Sequence, residues 1–215
     1  MRHLLTCWIC LVGALAAAAP EFVPQEVQVG KTQFTLPVPK KLSWVSREMP
    51  WARAYIDQKE HQAKDPGMNF TFVVVMVSPA HYAQAIKDGR LEDPLDCTAC
   101  VPTVQLEARH SLKQFRGLID GLAEEVTPAA KLAEQSKDQN IRKVIEGLSE
   151  EAILGRTDRS LQTLIADGDH LITSAYVLVE GKVLILNLRR PKQEAKDLMA
   201  EMEAWVGEIL KKTKA

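Results

Sequence analysis

The residues of this 215-residue chain whose type and spacing best suit chemistry are Cys97 and Cys100. They form a Cys-x-x-Cys motif within PLDCTACVPT, residues 94–103. That spacing is typical of a thiol–disulfide redox centre, of half a zinc site, or of a short local disulfide. A reactive thiol of the first kind lies at a helix N-terminus, where the helix dipole lowers its pKa.

The residues around the motif favour the disulfide. Pro102 disfavours helical angles at the residue before it, so we expect the next helix to begin at or after Pro102 and the pair to lie in a loop over 89–102. A zinc site needs two ligands besides the cysteines, and the sequence offers His110 as a third ligand but no evident fourth. We predict a Cys97–Cys100 disulfide that contributes about 2 kcal/mol. The alternative is a thiol–disulfide oxidoreductase in which Cys97 attacks and Cys100 resolves.

A second Cys-x-x-Cys pair, Cys7 and Cys10, lies in an N-terminal segment that is typical of exported proteins. The segment MRHLLTCWICLVGALAAAAP has an early arginine, an apolar run too short to span a bilayer, and four small residues. It predicts a signal peptide over 1–18, cleaved near Ala16–Ala18. The mature chain, 19–215, is then a single domain with two cysteines in a periplasmic or secreted setting, where disulfides form.

Other motifs do not point to an enzyme. Gly30-Lys31-Thr32 resembles the end of a phosphate-binding loop, but Gln25 stands where the first glycine belongs. The histidines of the mature chain are isolated from one another, and no Gly-x-Ser-x-Gly elbow occurs. We therefore expect no catalytic residue, no metal and no cofactor, and we favour a protein that is not an enzyme.

Charge and hydropathy limit the partners. The formal net charge of −1 provides no attraction for nucleic acid or for an anionic membrane surface. The mature chain has no apolar stretch long enough for a transmembrane segment. The partner is expected to be an envelope protein or a small ligand.

Aromatic and basic residues alternate in WVSREMPWAR. Trp44, Arg47, Trp51 and Arg53 form a possible interaction surface, since aromatic and arginine side chains are common in binding sites. The alternative is that the two tryptophans anchor a loop to the core, because large aromatic side chains are mostly buried.

Hydrophobic periodicity predicts the elements that must position these residues. The predicted strands are a hairpin over 26–36, weak candidates at 42–46 and 52–58, a strand buried on both faces at 69–78, and a meander of 160–167, 169–180 and 182–190. The predicted helices are 80–88, 108–126, 138–154 and 192–212, with Gly155 after the third as its C-terminal residue. Strands followed by helices, without regular alternation, predict an α+β fold with helices packed on an antiparallel sheet.

This order of elements resembles the PsbP-like superfamily. The residues that carry the resemblance are AYVLVEGKVLILNL at 175–188 and the helix EAKDLMAEMEAWVGEIL at 194–210. The resemblance implies an α/β/α sandwich and an exported protein, and it supplies no shared active site. We expect a non-enzymatic binding or envelope-assembly accessory protein. The alternatives are the thiol–disulfide oxidoreductase and a carrier of a small apolar ligand.

Overall fold

The computed structural model describes residues 20–62, 69–92, 95–125 and 152–213. The described chain begins in an antiparallel hairpin of β1 (Phe22–Val29) and β2 (Thr32–Pro39), which forms a sheet of its own. Gly30 supplies the positive φ that its turn requires. The hairpin predicted over 26–36 is confirmed.

Within the described residues, seven strands form the main sheet, and every neighbouring pair is antiparallel. They are β3 (Ser43–Trp44), β4 (Phe70–Val77), β5 (Cys97–Pro102), β6 (Ala152–Thr157), β7 (Ser160–Asp167), β8 (His170–Val179) and β9 (Lys182–Pro191). Their order across the sheet is β3-β4-β5-β9-β8-β7-β6. The meander of β7, β8 and β9 turns at Gly168 and Gly181, both with positive φ.

Four α-helices accompany these strands within the described residues. They are α1 (Pro50–Glu60), α2 (Pro79–Asp88), α3 (Leu112–Glu125) and α4 (Ala195–Lys212). Proline at the first position suits α1 and α2, because the first helical N–H has no partner within the helix. In α2 the Ser78 hydroxyl also accepts from the His81 N–H, and Gly89 ends the helix in the left-handed conformation.

The first face of the sheet is sealed by α4 and the β1–β2 hairpin. Leu198, Met202 and Trp205 of α4 are fully buried against this face, together with Leu184 and Leu186 of β9. The Trp205 indole N–H donates to the Pro37 carbonyl, so the helix and the hairpin hold each other. Fully buried leucine side chains each contribute roughly 1.5–3 kcal/mol, which makes this face the main core.

The second face is covered at its two ends. At one end, α1 and α2 pack on Val75 and Val77 of β4. At the other end, Phe115 and Ile119 of α3 pack on a cluster with Leu178 of β8. No described helix covers the middle of this face, and the candidate site lies there.

The α+β class, the antiparallel sheet, the meander and the terminal helix are confirmed. Three local predictions are wrong. Residues 52–58 lie in a helix rather than a strand; the loop predicted over 89–102 contains β5; and Ala152 begins β6, which places Gly155 within a strand rather than after a helix. The rest of the helix predicted over 138–154 lies outside the described residues, as does the signal peptide predicted over 1–18.

Candidate functional site

Cys97 and Cys100 both lie in β5, a central strand, and they face opposite sides of the sheet. Cys97 packs into the main core beneath α4, with 1% of its surface exposed. Cys100 lies on the second face, where its thiol donates to the Ile185 carbonyl at 3.6 Å. This placement follows from strand geometry, because side chains three residues apart point in opposite directions.

The predicted Cys97–Cys100 disulfide is therefore corrected: both cysteines are free. Three residues of extended strand separate two Cα atoms by about 10 Å, whereas a disulfide requires about 4.4–6.8 Å. The error came from placing the pair in a loop. Pro102 does stop a helix from including the motif, but it does so at the last position of a strand.

Burial makes both thiols unreactive. Burial is the largest cause of the raised pKa of Cys97, and nearby Glu201 and Asp96 raise it further, against the opposing effect of Arg190. Burial, with a smaller effect of the Glu60 carboxylate, raises the pKa of Cys100 to about 12. Since the thiolate is the nucleophile, neither cysteine has the low pKa that thiol–disulfide exchange needs.

Cys100 instead contributes to the wall of a cavity, here called the groove, in the middle of the second face, which no described helix covers. The groove has a volume of about 400 Å³. Its floor is formed by β4, β5, β9 and β8, and Tyr55 and Lys59 of α1 line one side. Leu95, just before β5, also lines it.

Strand register arranges the floor of the groove in rows. Phe72, Cys100, Ile185 and Tyr176 are successive partners across β4, β5, β9 and β8, and they form what we call the apolar row. Side chains that are paired in this way lie about 5 Å apart on one face of the sheet. The apolar row therefore gives the groove a continuous hydrophobic strip across four strands.

A second set of partners forms the polar row. Thr98, Asn187 and Ser174 are paired across β5, β9 and β8. Ser174 donates to the Asn187 carbonyl oxygen at 2.7 Å, and the Asn187 amide donates to the Thr98 hydroxyl at 3.1 Å. Thr163 continues this row on β7, and its buried hydroxyl has no hydrogen-bond partner within the described residues. The row is a half-buried hydrogen-bonded ladder beside the apolar row.

Among the residues that the structure describes, two cations and no carboxylate line the groove. Arg189 of β9 is paired with Asp167 at 3.1 Å. Lys59 lies 5.4 Å from the centre of the Tyr55 ring, within the range of a cation–π contact. The groove therefore combines apolar surface with positive charge.

Glu60 fixes the edge of the groove. Its carboxylate is buried, accepts the Phe72 N–H at 2.7 Å and pairs with Arg47. This contact falls where the register of β4 shifts at a bulge between Phe72 and Val74. A buried carboxylate is retained only when it is paired and hydrogen-bonded, so this contact ties α1 to β4.

The structure does not gather the four residues of the predicted interaction surface into one cluster. Trp44 packs against the main core, whereas Trp51 of α1 packs against the cluster between α1, α2 and β4, with its ring edge-on to Tyr82 at 5.3 Å. Arg47 is committed to Glu60, and Arg53 donates to the Arg47 carbonyl. Both tryptophans thus serve as hydrophobic anchors, and a role in partner binding stays a prediction.

Sequence reasoning missed the groove, although the register that builds it can be derived. The two-residue turn at Glu180-Gly181 pairs Val179 with Lys182, and counting back from there pairs Ser174 with Asn187. Two polar residues opposite each other within strongly apolar strands are an unusual pairing. That pairing was the sequence feature that pointed to the polar row.

Within 20–62, 69–92, 95–125 and 152–213, no three histidine, cysteine, aspartate or glutamate side chains lie close enough to hold a metal ion. None of the helices in those ranges is both long and apolar enough to cross a bilayer.

The fold and the groove define an α+β protein with a cavity on an antiparallel sheet. No protein-family model and no curated protein matches the chain. Among solved structures it is similar to cyanobacterial PsbP (CyanoP) from Synechocystis sp. PCC 6803, at 9% sequence identity. The TM-score is 0.33, over 95% of this chain and 98% of that chain. The likeness concerns the fold alone, and nothing about the ligand of the groove follows from it.

Proposed function

We propose that the protein is an exported, non-enzymatic accessory protein of the cell envelope that acts by binding a small, largely apolar ligand in the groove. The observation that carries the proposal is the groove itself. Its volume of about 400 Å³ falls within the range of about 300–1,000 Å³ that is usual for ligand sites. Its lining is mostly apolar and aromatic, with a few polar groups that would orient a ligand.

The export part of this proposal rests on the N-terminal segment. The order of a positive residue, an apolar run and small residues is that of a secretory signal. An envelope location would place the ligand among molecules of the periplasm or of the surrounding medium.

The geometry of the cysteines argues against the thiol–disulfide oxidoreductase. Such an enzyme cycles between a dithiol and an intramolecular disulfide, and opposite faces of one strand keep Cys97 and Cys100 too far apart for that bond. Their raised pKa values also disfavour attack on a disulfide at neutral pH.

Binding of the neutral dye N-phenyl-1-naphthylamine, followed by its fluorescence, tests the proposed function. The dye should bind the purified protein. Filling the groove with Ile185→Trp or Ile172→Trp should weaken binding by roughly tenfold or more, about 1.4 kcal/mol. Gln33→Trp adds the same side chain at an exposed position of β2 and should leave binding unchanged.

Circular dichroism spectra of all three variants should match that of the parent protein. The proposal fails if the dye does not bind, or if properly folded groove-filled variants bind it as well as the parent does.

A further inference from the structure

The charged side chains that line the groove are cationic within the described residues. They are Lys59 and Arg189, and Asp167 pairs with Arg189 from outside the lining. Glu60 is held by Arg47 and by the Phe72 N–H. Asp96 accepts the Ser78 N–H at 2.6 Å and lies 3.9 Å from Arg190. Among the described residues, the groove therefore presents positive charge and no carboxylate of its own to a ligand.

Arg189 has donor capacity to spare. Its partner Asp167 is about half exposed, so water competes for that ion pair and its free energy is small. The Nε–H of Arg189 is buried and has no acceptor within the described part of the chain. A ligand carboxylate brings two acceptor oxygens, which suit the fork of donors on a guanidinium.

The apolar row lies at a defined distance from this charge. Ile185 and Arg189 are four residues apart in β9 and share one face, so their Cα atoms are separated by about 13 Å. Asn187 lies between them in the polar row, where Ser174 and Thr98 already satisfy part of its hydrogen bonding. The groove thus has a charged end and an apolar end, and the polar row between them is hydrogen-bonded within itself.

We propose that the ligand is a small amphipathic anion, such as a medium-chain carboxylate, with its charged head at Arg189 and its apolar chain extending across the polar row to the apolar row. This inference rests on the proposed function. It adds the chemical class of the ligand and the orientation in which the ligand lies.

Displacement of N-phenyl-1-naphthylamine by three probes, each with a ten-carbon chain, tests the inference. The probes are decanoate, 1-decanol and decyltrimethylammonium, all used below their micelle-forming concentrations. Decanoate should displace the dye at a concentration at least about tenfold lower than either other probe, which corresponds to about 1.4 kcal/mol. The preference should weaken as salt is added, because salt screens the charge of a partly exposed arginine.

Variants at the charged end separate the head from the chain. Arg189→Met should remove the preference for decanoate and leave 1-decanol nearly unchanged, whereas Arg189→Lys should retain part of it. Asp167→Asn removes the competing carboxylate and should tighten decanoate binding severalfold. Arg116→Met is the matched control, since Arg116 is an exposed arginine of α3 paired with Asp158 and does not line the groove.

The possible outcomes distinguish the two proposals. Dye binding that the groove-filling tryptophans weaken, without any preference for decanoate, overturns the anionic ligand and leaves the proposed function standing. A preference that survives Arg189→Met also overturns the inference. If Arg189→Met unfolds, Asp167→Asn gives the second test, because it should tighten decanoate binding, and folded Asp167→Asn protein that binds decanoate no more tightly overturns the inference. Failure of both dye and decanoate to bind overturns both proposals. Retention of the protein on phosphatidylglycerol vesicles, with no preference for monomeric decanoate, identifies a membrane surface instead and overturns the inference.

Discussion

Burial of Cys97 and Cys100 on the two faces of β5 determines how these thiols titrate. An unfolded cysteine has a pKa of about 8.5, whereas burial raises the pKa of Cys100 to about 12 and raises that of Cys97 as well. Above pH 8.5 the unfolded chain therefore loses thiol protons that the folded chain keeps. The stability that the neutral thiols contribute is fully present below about pH 8.5 and is lost as the pH rises towards the folded pKa values.

We expect the free energy of unfolding to fall between pH 8 and pH 10 by on the order of 1–2 kcal/mol per thiol. Urea unfolding at the two pH values measures it, and the double variant Cys97→Ala/Cys100→Ala should show a smaller fall. The difference between the two proteins isolates the thiols from other titrating groups. An equal pH dependence in both proteins would mean that the thiols are not buried as described.

Gly30 is a second residue whose role is set by its surroundings. Its φ is +57°, and a Cβ at this position would collide with the Leu106 carbonyl oxygen of the loop before α3. Gly168 has nearly the same φ, +56°, but no atom lies within 4 Å of its Cβ position. An alanine at either position would bear the backbone strain of a left-handed residue, and only an alanine at position 30 would also collide with a neighbouring atom.

Gly168→Ala should cost about 1 kcal/mol, the strain of a left-handed alanine. Gly30→Ala should cost that amount plus the displacement of the loop, roughly 2–4 kcal/mol in total. Chemical denaturation of the two variants measures both. Equal losses would show that the loop between β5 and α3 yields freely to the hairpin.

Among the elements, α4 has an arginine side chain hydrogen-bonded to carbonyls at its C-terminal end. Arg159, in the turn between β6 and β7, donates to the Leu210 carbonyl at 3.4 Å and to the Thr213 carbonyl at 3.1 Å. It also donates to the Leu178 carbonyl of β8 at 3.1 Å. The last carbonyls of a helix lack partners within the helix and carry partial negative charge, so a cation there is stabilising.

Arg159→Met should therefore destabilise the protein by roughly 1.5–3 kcal/mol, because carbonyls that bonded to a charged donor lose it. Hydrogen exchange should quicken at the Thr213 N–H, which donates to Ile209, before it does so elsewhere in α4. Arg116→Met removes an exposed ion pair and should cost less than about 1 kcal/mol. Similar losses in both variants would argue that Arg159 does not cap the helix.

The elements that were predictable from the sequence are those whose pattern is strictly local. The meander followed from strands joined by two-residue glycine turns, and α4 from apolar residues at helical spacing. β5 was hidden because CTACVP has small residues and ends in proline, so only its pairing with β4 and β9 makes it a strand. The groove could not be predicted without β5, because Thr98 of that strand is the third member of the polar row.

At the scale of the whole molecule, the sheet has one sealed face and one face with a hollow. The sealed face carries most of the apolar burial through α4 and the hairpin, so the fold does not need the middle of the second face to be filled. The described helices on that face pack at its two ends, and the groove lies between them. A stable core on one side and a cavity on the other allow groove substitutions to change binding with limited loss of stability.

The location of the molecule is open to a direct test, because a secretory signal would act through the apolar run of the N-terminal segment. Expressed as the full chain in a Gram-negative bacterium, the protein should appear in the periplasmic fraction. Mass spectrometry should find its first residue at position 17 or 19, after cleavage behind Ala16 or Ala18. Leu11→Arg/Leu15→Arg places two charges in the run and should keep the protein uncleaved in the cytoplasm, since each charge makes insertion into the bilayer costly by roughly 2.5–3.5 kcal/mol. A cleaved, exported double variant, or an uncleaved parent protein in the cytoplasm, would show that the segment is not a secretory signal and would remove the export part of the proposed function.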